Sequence, residues 1–170
     1  MATTTISYSA ATTITIGLAT TPLASSSTWV LGRESTEIDN TTNKYDDVLV
    51  QGKITVGTTP TASTLILVYV WGSDTSAGTA NLDTIDGTDS DETLTSAGVR
   101  DGFMKLAAVI NVDSATSNRT YWVGAFSIAD LFGQMPKYWG LFVTHNTVAA
   151  LNSTAGNHAF TYTGIKFDTA

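Results

Sequence analysis

The 170-residue chain has no cysteine, two histidines, three glutamates and three prolines. Without cysteine there is no disulfide framework, no thiolate metal site and no thiol nucleophile. Stability must come from a packed core, from hydrogen bonds or from association. Charge is scarce too: Asp, Glu, Lys and Arg make up 14% of residues, against about 25% in ordinary domains. Eight basic residues and a net charge of -7 leave no electropositive footprint, which argues against nucleic acid or an anionic membrane as a partner. The longest apolar run, residues 65–71 (LILVYVW), is far short of the roughly 20 residues of a membrane span. Residues 1–27 lack a basic start and a continuous apolar stretch. The expectation is a protein that begins near Met1 and folds in a cytoplasm.

What is abundant is hydroxyl. The chain holds 31 threonines and 15 serines. Threonine favours strands and turns and disfavours helix interiors. At this length a single domain is expected, with a real core covering roughly 70% of the unfolded surface.

The chain is organised around its end. KYWGLFVT (137–144) and AFTYTGIKF (159–167) are aromatic and β-branched, and both alternate. The Asn-, Ser-, Thr- and Gly-rich stretch 145–158 separates them, which reads as two strands of a long hairpin. Both faces of 137–144 are apolar, so that strand is expected to be buried on both sides. Upstream, residues 1–11 are small and polar and read as an N-terminal arm, ahead of a single domain over 12–170. Segments 12–17, 29–32, 45–56, 64–71, 103–113 and 120–128 read as further strands. Residues 33–44 read as exposed, and 129–135 as one helical turn before Pro136. Residues 72–102 have no period and read as a loop with a short strand near 92–94; a loop this long is uncommon in a compact domain. The expected fold class is all-β: an antiparallel β-sandwich, a jelly roll of about eight strands. The long central loop argues against the even spacing of an up-and-down barrel. Val48, Val50, Ile54, Leu67, Leu106, Ile110, Trp122, Leu141 and Val143 are expected inside.

Candidate chemistry is thin. His145 and His158 bracket the 145–158 loop, but zinc wants further ligands. Asp83, Asp86, Asp89, Asp91 and Glu92 form the one acidic cluster, without the offsets of an EF-hand. The glutamates Glu34, Glu37 and Glu92 all fall in apparent loops, so no facing carboxylate pair for glycoside hydrolysis is evident. No GxSxG, P-loop or HExxH occurs. The expectation is no catalytic residue, no cofactor and no metal. Trp71, Trp122, Trp139 and Tyr121 are candidates for a sugar-stacking platform, although aromatics in strand centres are more often core or interface anchors.

The strand at 64–71 is apolar on both faces, with Leu65, Leu67, Tyr69 and Trp71 on one. A sandwich buries one face of a strand against its partner sheet. The other needs an arm, the long loop or a neighbouring subunit. Leu65, Leu67, Tyr69 and Trp71, with Tyr138 and Phe142 on the 137–144 strand, are therefore candidate interface residues.

The stretches GRESTEIDNTTNKYDDVLVQGKITVGTTPTA, NRTYWVGAFSIADLFGQMPKYWGLFVTHNT and LNSTAGNHAFTYTGIKF resemble small structural proteins encoded in the head-gene region of tailed bacteriophages. Some of those are jelly-roll capsid cement, or decoration, proteins. The resemblance spans most of residues 32–167 and carries no active site. It implies a virion protein made in the host cytoplasm. Its partners would be the major capsid protein of the head and further copies of itself, as a dimer or trimer. A tail or neck protein and a carbohydrate-binding sandwich are the alternatives.

Overall fold

A computed structural model describes residues 4–169. It is mostly strand, 44%, with 12% helix. One antiparallel sheet joins β1 (Thr4–Tyr8) and β2 (Thr12–Ile14) to one edge of β11 (Ala159–Thr169). The other edge of β11 pairs with β5 (Asp47–Thr55), which pairs with β9 (Thr120–Ser127). The second sheet runs β7 (Asp91–Thr93), β3 (Leu31–Glu34), β10 (Tyr138–His145), β6 (Thr64–Ser73) and β8 (Met104–Val112). The short β4 (Ile38–Asp39) also pairs with β10.

This is a jelly roll. Taking β1/β2 as one interrupted strand and β3/β4 as another gives eight, ordered 1-8-3-6 in one sheet and 2-7-4-5 in the other. β7 is an extra edge strand supplied by the long central insertion. The break between β3 and β4 is held by Ser35, whose backbone N–H donates to Leu141 O and whose Oγ accepts from Leu141 N, both at 2.9 Å.

β10 is the second sheet's central strand and is buried along nearly its whole length, as its doubly apolar sequence requires. Its register against β6 sets Gly140 opposite Trp71. A side chain on Gly140 would meet the Trp71 ring at 2.5 Å, so glycine lets that indole lie flat across the strand. Between the sheets, Val48, Val50, Ile54, Ile110, Leu141 and Val143 are buried as expected, with Trp139 and Phe160 beside them. Each fully buried side chain of this kind contributes about 1.5–3 kcal/mol.

Several expectations need correction. β10 and β11 are not a hairpin: they lie in different sheets, and residues 146–158 cross between them. Leu106 and Trp122 are exposed. For Leu106 the reason is a register shift opposite Val68 and Tyr69, which reverses the alternation of β8. Ile110 and Val112 point inward, but beyond the shift Leu106 pairs with Tyr69 and Met104 with Trp71 on the outer face. Trp122 stands next to inward-facing Val123 on β9 and so points out. Residues 33–44 are not simply exposed, because Glu34, Ser35 and Asn40 are buried. The N-terminal arm over 1–11 falls partly outside the described residues. From Thr4 it is not loose but paired to β11, with Ile6 opposite Phe167 and Tyr8 opposite Ile165.

The helices are short: α1 (Asn40–Asn43), α2 (Ala77–Ala80), α3 (Ala97–Phe103) and α4 (Ile128–Phe132). The last is the expected turn, capped by Ser127 Oγ on Asp130 N and ended by Gly133 at φ 77°. Among the described residues no helix is long and apolar enough to cross a membrane.

Candidate functional site

The face first expected to meet a partner is covered by the chain itself. Leu67, Tyr69, Trp71 and Phe142 are buried, and Leu65 and Tyr138 are half-buried. Residues 74–103 fold back over β6 and β10 as a roof, and Ala77, Ile85 and Leu94 from that roof close a second apolar cluster with Met104. These six residues are therefore not a free interface.

Polar contacts at the roof's rim explain the acidic cluster. Arg100 Nη1 donates to Trp29 O at 2.8 Å, and its guanidinium lies 4.8 Å from the centre of the Tyr69 ring. Asp83 accepts from Thr95 N at 2.7 Å and from Thr95 Oγ1 at 2.8 Å. Arg33 bridges Asp89 at 2.7 Å and Asp91 at 3.2 Å. Glu37 receives Ser76 Oγ and Ala77 N at the start of α2. Asp86 accepts from Thr88 N, and Glu92 from Ser90 Oγ. Each of these carboxylates is committed to a donor within the chain. Among the described residues no group of three or more His, Asp or Glu side chains is placed to hold a metal ion.

Glu34 is the exception in this network. Its carboxyl is fully buried beneath the roof. Oε1 accepts from Thr88 N at 2.9 Å, while Oε2 has no partner. Burial, with Asp86 adding to it, pushes this group up to about 8. At neutral pH the group is held as the acid, which spares the core an unpaired charge.

The two histidines do not face each other across a hairpin. His145 is buried at the end of β10; its Nε2 bonds Leu23 O, and its Nδ1 meets Thr147 Oγ1, both at 2.9 Å. His158 bonds Asn152 O through Nε2 at 2.8 Å and receives Thr55 N on Nδ1. In both rings Nε2 faces a carbonyl, and Nδ1 accepts from backbone N–H, at Thr147 in one and Thr55 in the other. Burial lowers the pKa of both.

The candidate aromatic platform is not assembled either. Trp71 and Trp139 are buried and Tyr121 packs against the core. Trp139 meets Tyr162 edge-on, with ring centres 5.6 Å apart.

What remains open is the outer face of the other sheet, which sequence reasoning did not single out. Alternation along β11 sends Phe160 and Tyr162 inward and Thr161, Thr163, Ile165 and Phe167 outward. Beside them on β1, Ile6 is 55% exposed and Tyr8 64%; Phe167 is 53% exposed. Leu49, Gln51 and Lys53 continue the face on β5, and Trp122 lies next to Lys53 on β9. The face therefore has an apolar end at the β1–β11 ribbon and a mixed end at Trp122. The signal that could have found it was the outward register of 161, 163, 165 and 167, set by the bulk of Phe160 and Tyr162. No protein-family model, no curated protein and no solved structure matches this chain.

Proposed function

We propose that the protein is a non-enzymatic virion structural protein: a cement, or decoration, protein that binds the outer surface of a tailed-phage head and stabilises it. Its partners are the major capsid protein and further copies of itself, as a dimer or trimer. The observation that carries this reading is the bare outer face of the β11–β5 sheet. A nearly uncharged strand ribbon there exposes Ile6, Tyr8 and Phe167 together, in a chain that roofs its other apolar face with its own residues. Clustered exposed apolar side chains mark contact surfaces. Two further features support a structural role. The carboxylates of the acidic segment are tied to donors around the roof, and both histidines bond backbone carbonyls, His145 in the interior and His158 half-buried.

The test is co-sedimentation of the purified protein with empty heads. The protein should pellet with the heads and raise their melting temperature. Replacing Ile6 and Phe167 together by serine should abolish both effects while the variant stays folded. A protein that stays in the supernatant at saturating concentration, or a double variant that binds undiminished, refutes the reading.

A further inference from the structure

At the other end of the same face, Trp122 is 76% exposed. Trp71 and Trp139 are buried and Trp29 is half-buried, so this is the one exposed indole among the described residues. A large apolar ring left in water is the observation that needs a reason. Cross-strand pairing puts Lys53 beside it, and Ala159 on the far side of Lys53. Because Ala159 is small, a shallow groove of about 220 Å³ opens in front of the ring, lined also by Gln51, the Gly52 backbone and Thr161.

The rim of this groove differs from the apolar ribbon. Among the described residues the Gln51 amide, the Lys53 ammonium and the Thr161 hydroxyl make no side-chain hydrogen bond, and Lys53 has no salt bridge. Donors and acceptors of three kinds thus stand free around one bare indole. A protein contact centred on a tryptophan is usually ringed by groups that exclude water. Free polar groups around an aromatic face suit a ligand that is apolar on its faces and hydroxylated at its edge, which is the chemistry of a pyranose sugar.

We infer that this groove is a glycan-binding site: a pyranose ring stacks on Trp122, and Gln51, Lys53 and Thr161 hydrogen-bond its hydroxyls. The unpaired Lys53 favours a sugar bearing a carboxylate over a neutral one. The inference is independent of capsid binding, because the apolar ribbon and the groove occupy different ends of the sheet.

Tryptophan labelled with fluorine at ring position 5 gives one ¹⁹F resonance for each of the four tryptophans. Tetragalacturonate at millimolar concentration should shift the Trp122 resonance saturably and leave the other three in place. Cellotetraose should do so more weakly. Gln51→Ala and Thr161→Val should each weaken binding roughly fivefold, the worth of a typical hydrogen bond. Trp122→Ala should abolish it with an unchanged melting curve and undiminished binding to heads. The site is refuted if Trp122 is silent toward both sugars. It is equally refuted if its resonance moves with protein concentration or on adding empty heads alone, since the ring is then a protein contact.

Discussion

The outer face of the β10–β6 sheet is roofed by residues 74–103, whereas the outer face of the β11–β5 sheet has no such cover. The contrast follows from strand chemistry. β6 and β10 are apolar on both sides, and their outer residues include Trp71, Tyr69 and Phe142. Leaving those in water would cost several kcal/mol, which favours a cover over that face. β5 and β11 carry mainly Thr, Gln and Lys outward over their middle stretch, and these need no cover. Two tryptophans, Trp71 and Trp122, thus have opposite fates. The roofed one belongs to stability, and the bare one is free for recognition.

The sharpest way to break this comparison is to truncate both rings. Trp71→Ala should cost about 3–5 kcal/mol, the range for emptying a packed aromatic site. Trp122→Ala should stay within about 0.5 kcal/mol, as for a surface position. Urea unfolding followed by far-UV circular dichroism reads both. Similar losses for the two would mean that the roof is not what separates them.

The next effect concerns the carboxyl buried under the roof. Glu34 titrates near 8 in the folded chain against an ordinary value of 4.5. Between those values the folded state binds the extra proton, so stability is full below pH 4.5 and declines as pH rises toward 8. The accumulated loss is on the order of a few kcal/mol. Glu34→Gln keeps the shape and the acceptor for Thr88 N without the proton. Melting temperature measured from pH 5 to 9 should fall for the natural chain and stay flat for the variant. Parallel curves would place the carboxylate in water and undo the roofed description.

The histidines set the opposite limb. Burial depresses both below their ordinary value of 6.5. In the window just below 6.5 the unfolded chain binds more protons, so stability is complete above that pH and is lost as pH falls toward the depressed values. His158→Gln should soften this acid limb by about 1 kcal/mol or less, checked by melting at pH 5 against pH 7. A limb of unchanged slope would assign it elsewhere.

Much of this was legible in the sequence. The alternation of 45–56 and the doubly apolar runs at 64–71 and 137–144 announce a sandwich. The aperiodic stretch 72–102 marks the one large insertion. What was not legible depended on register or distance. A one-residue shift in β8 turns Leu106 outward while Ile110 stays in, and hydrophobicity alone carries no sign of it. Trp122 looked like core because bulk resembles burial until inward-facing Val123 fixes the phase. β10 and β11 looked like a hairpin because neighbours in sequence usually pair, but each pairs elsewhere, with β6 and β5. The acidic cluster read as a loop without the offsets of an EF-hand, and nothing in the sequence shows that Arg33, some 56 residues from Asp89, returns to neutralise it.

A small change in stability is also expected at the apolar end of the bare face. At the β1–β11 ribbon, Ile6 faces Phe167 across the strands and Tyr8 faces Ile165. β5 follows β11 only as far as Ile165 opposite Asp47, so beyond that point the ribbon has two strands and no third. Such ribbons are marginal alone in water. β1 also has no charge, proline or bulge, the devices that usually guard an exposed strand edge. Exposed cross-strand pairs of this kind are worth about 0.2–1 kcal/mol, so Ile6→Ser with Phe167→Ser should lower global stability by no more than about 1 kcal/mol. Local opening should change far more, with the amides of Ile6 and Tyr8 exchanging with solvent sooner than those of β5. Light scattering should find the natural chain as a dimer or trimer and the double variant as a monomer. If the natural chain is already a monomer at micromolar concentration, the ribbon is not a self-association surface. If the variant loses as much stability as Trp71→Ala, the ribbon is part of the core and the two faces do not differ as described.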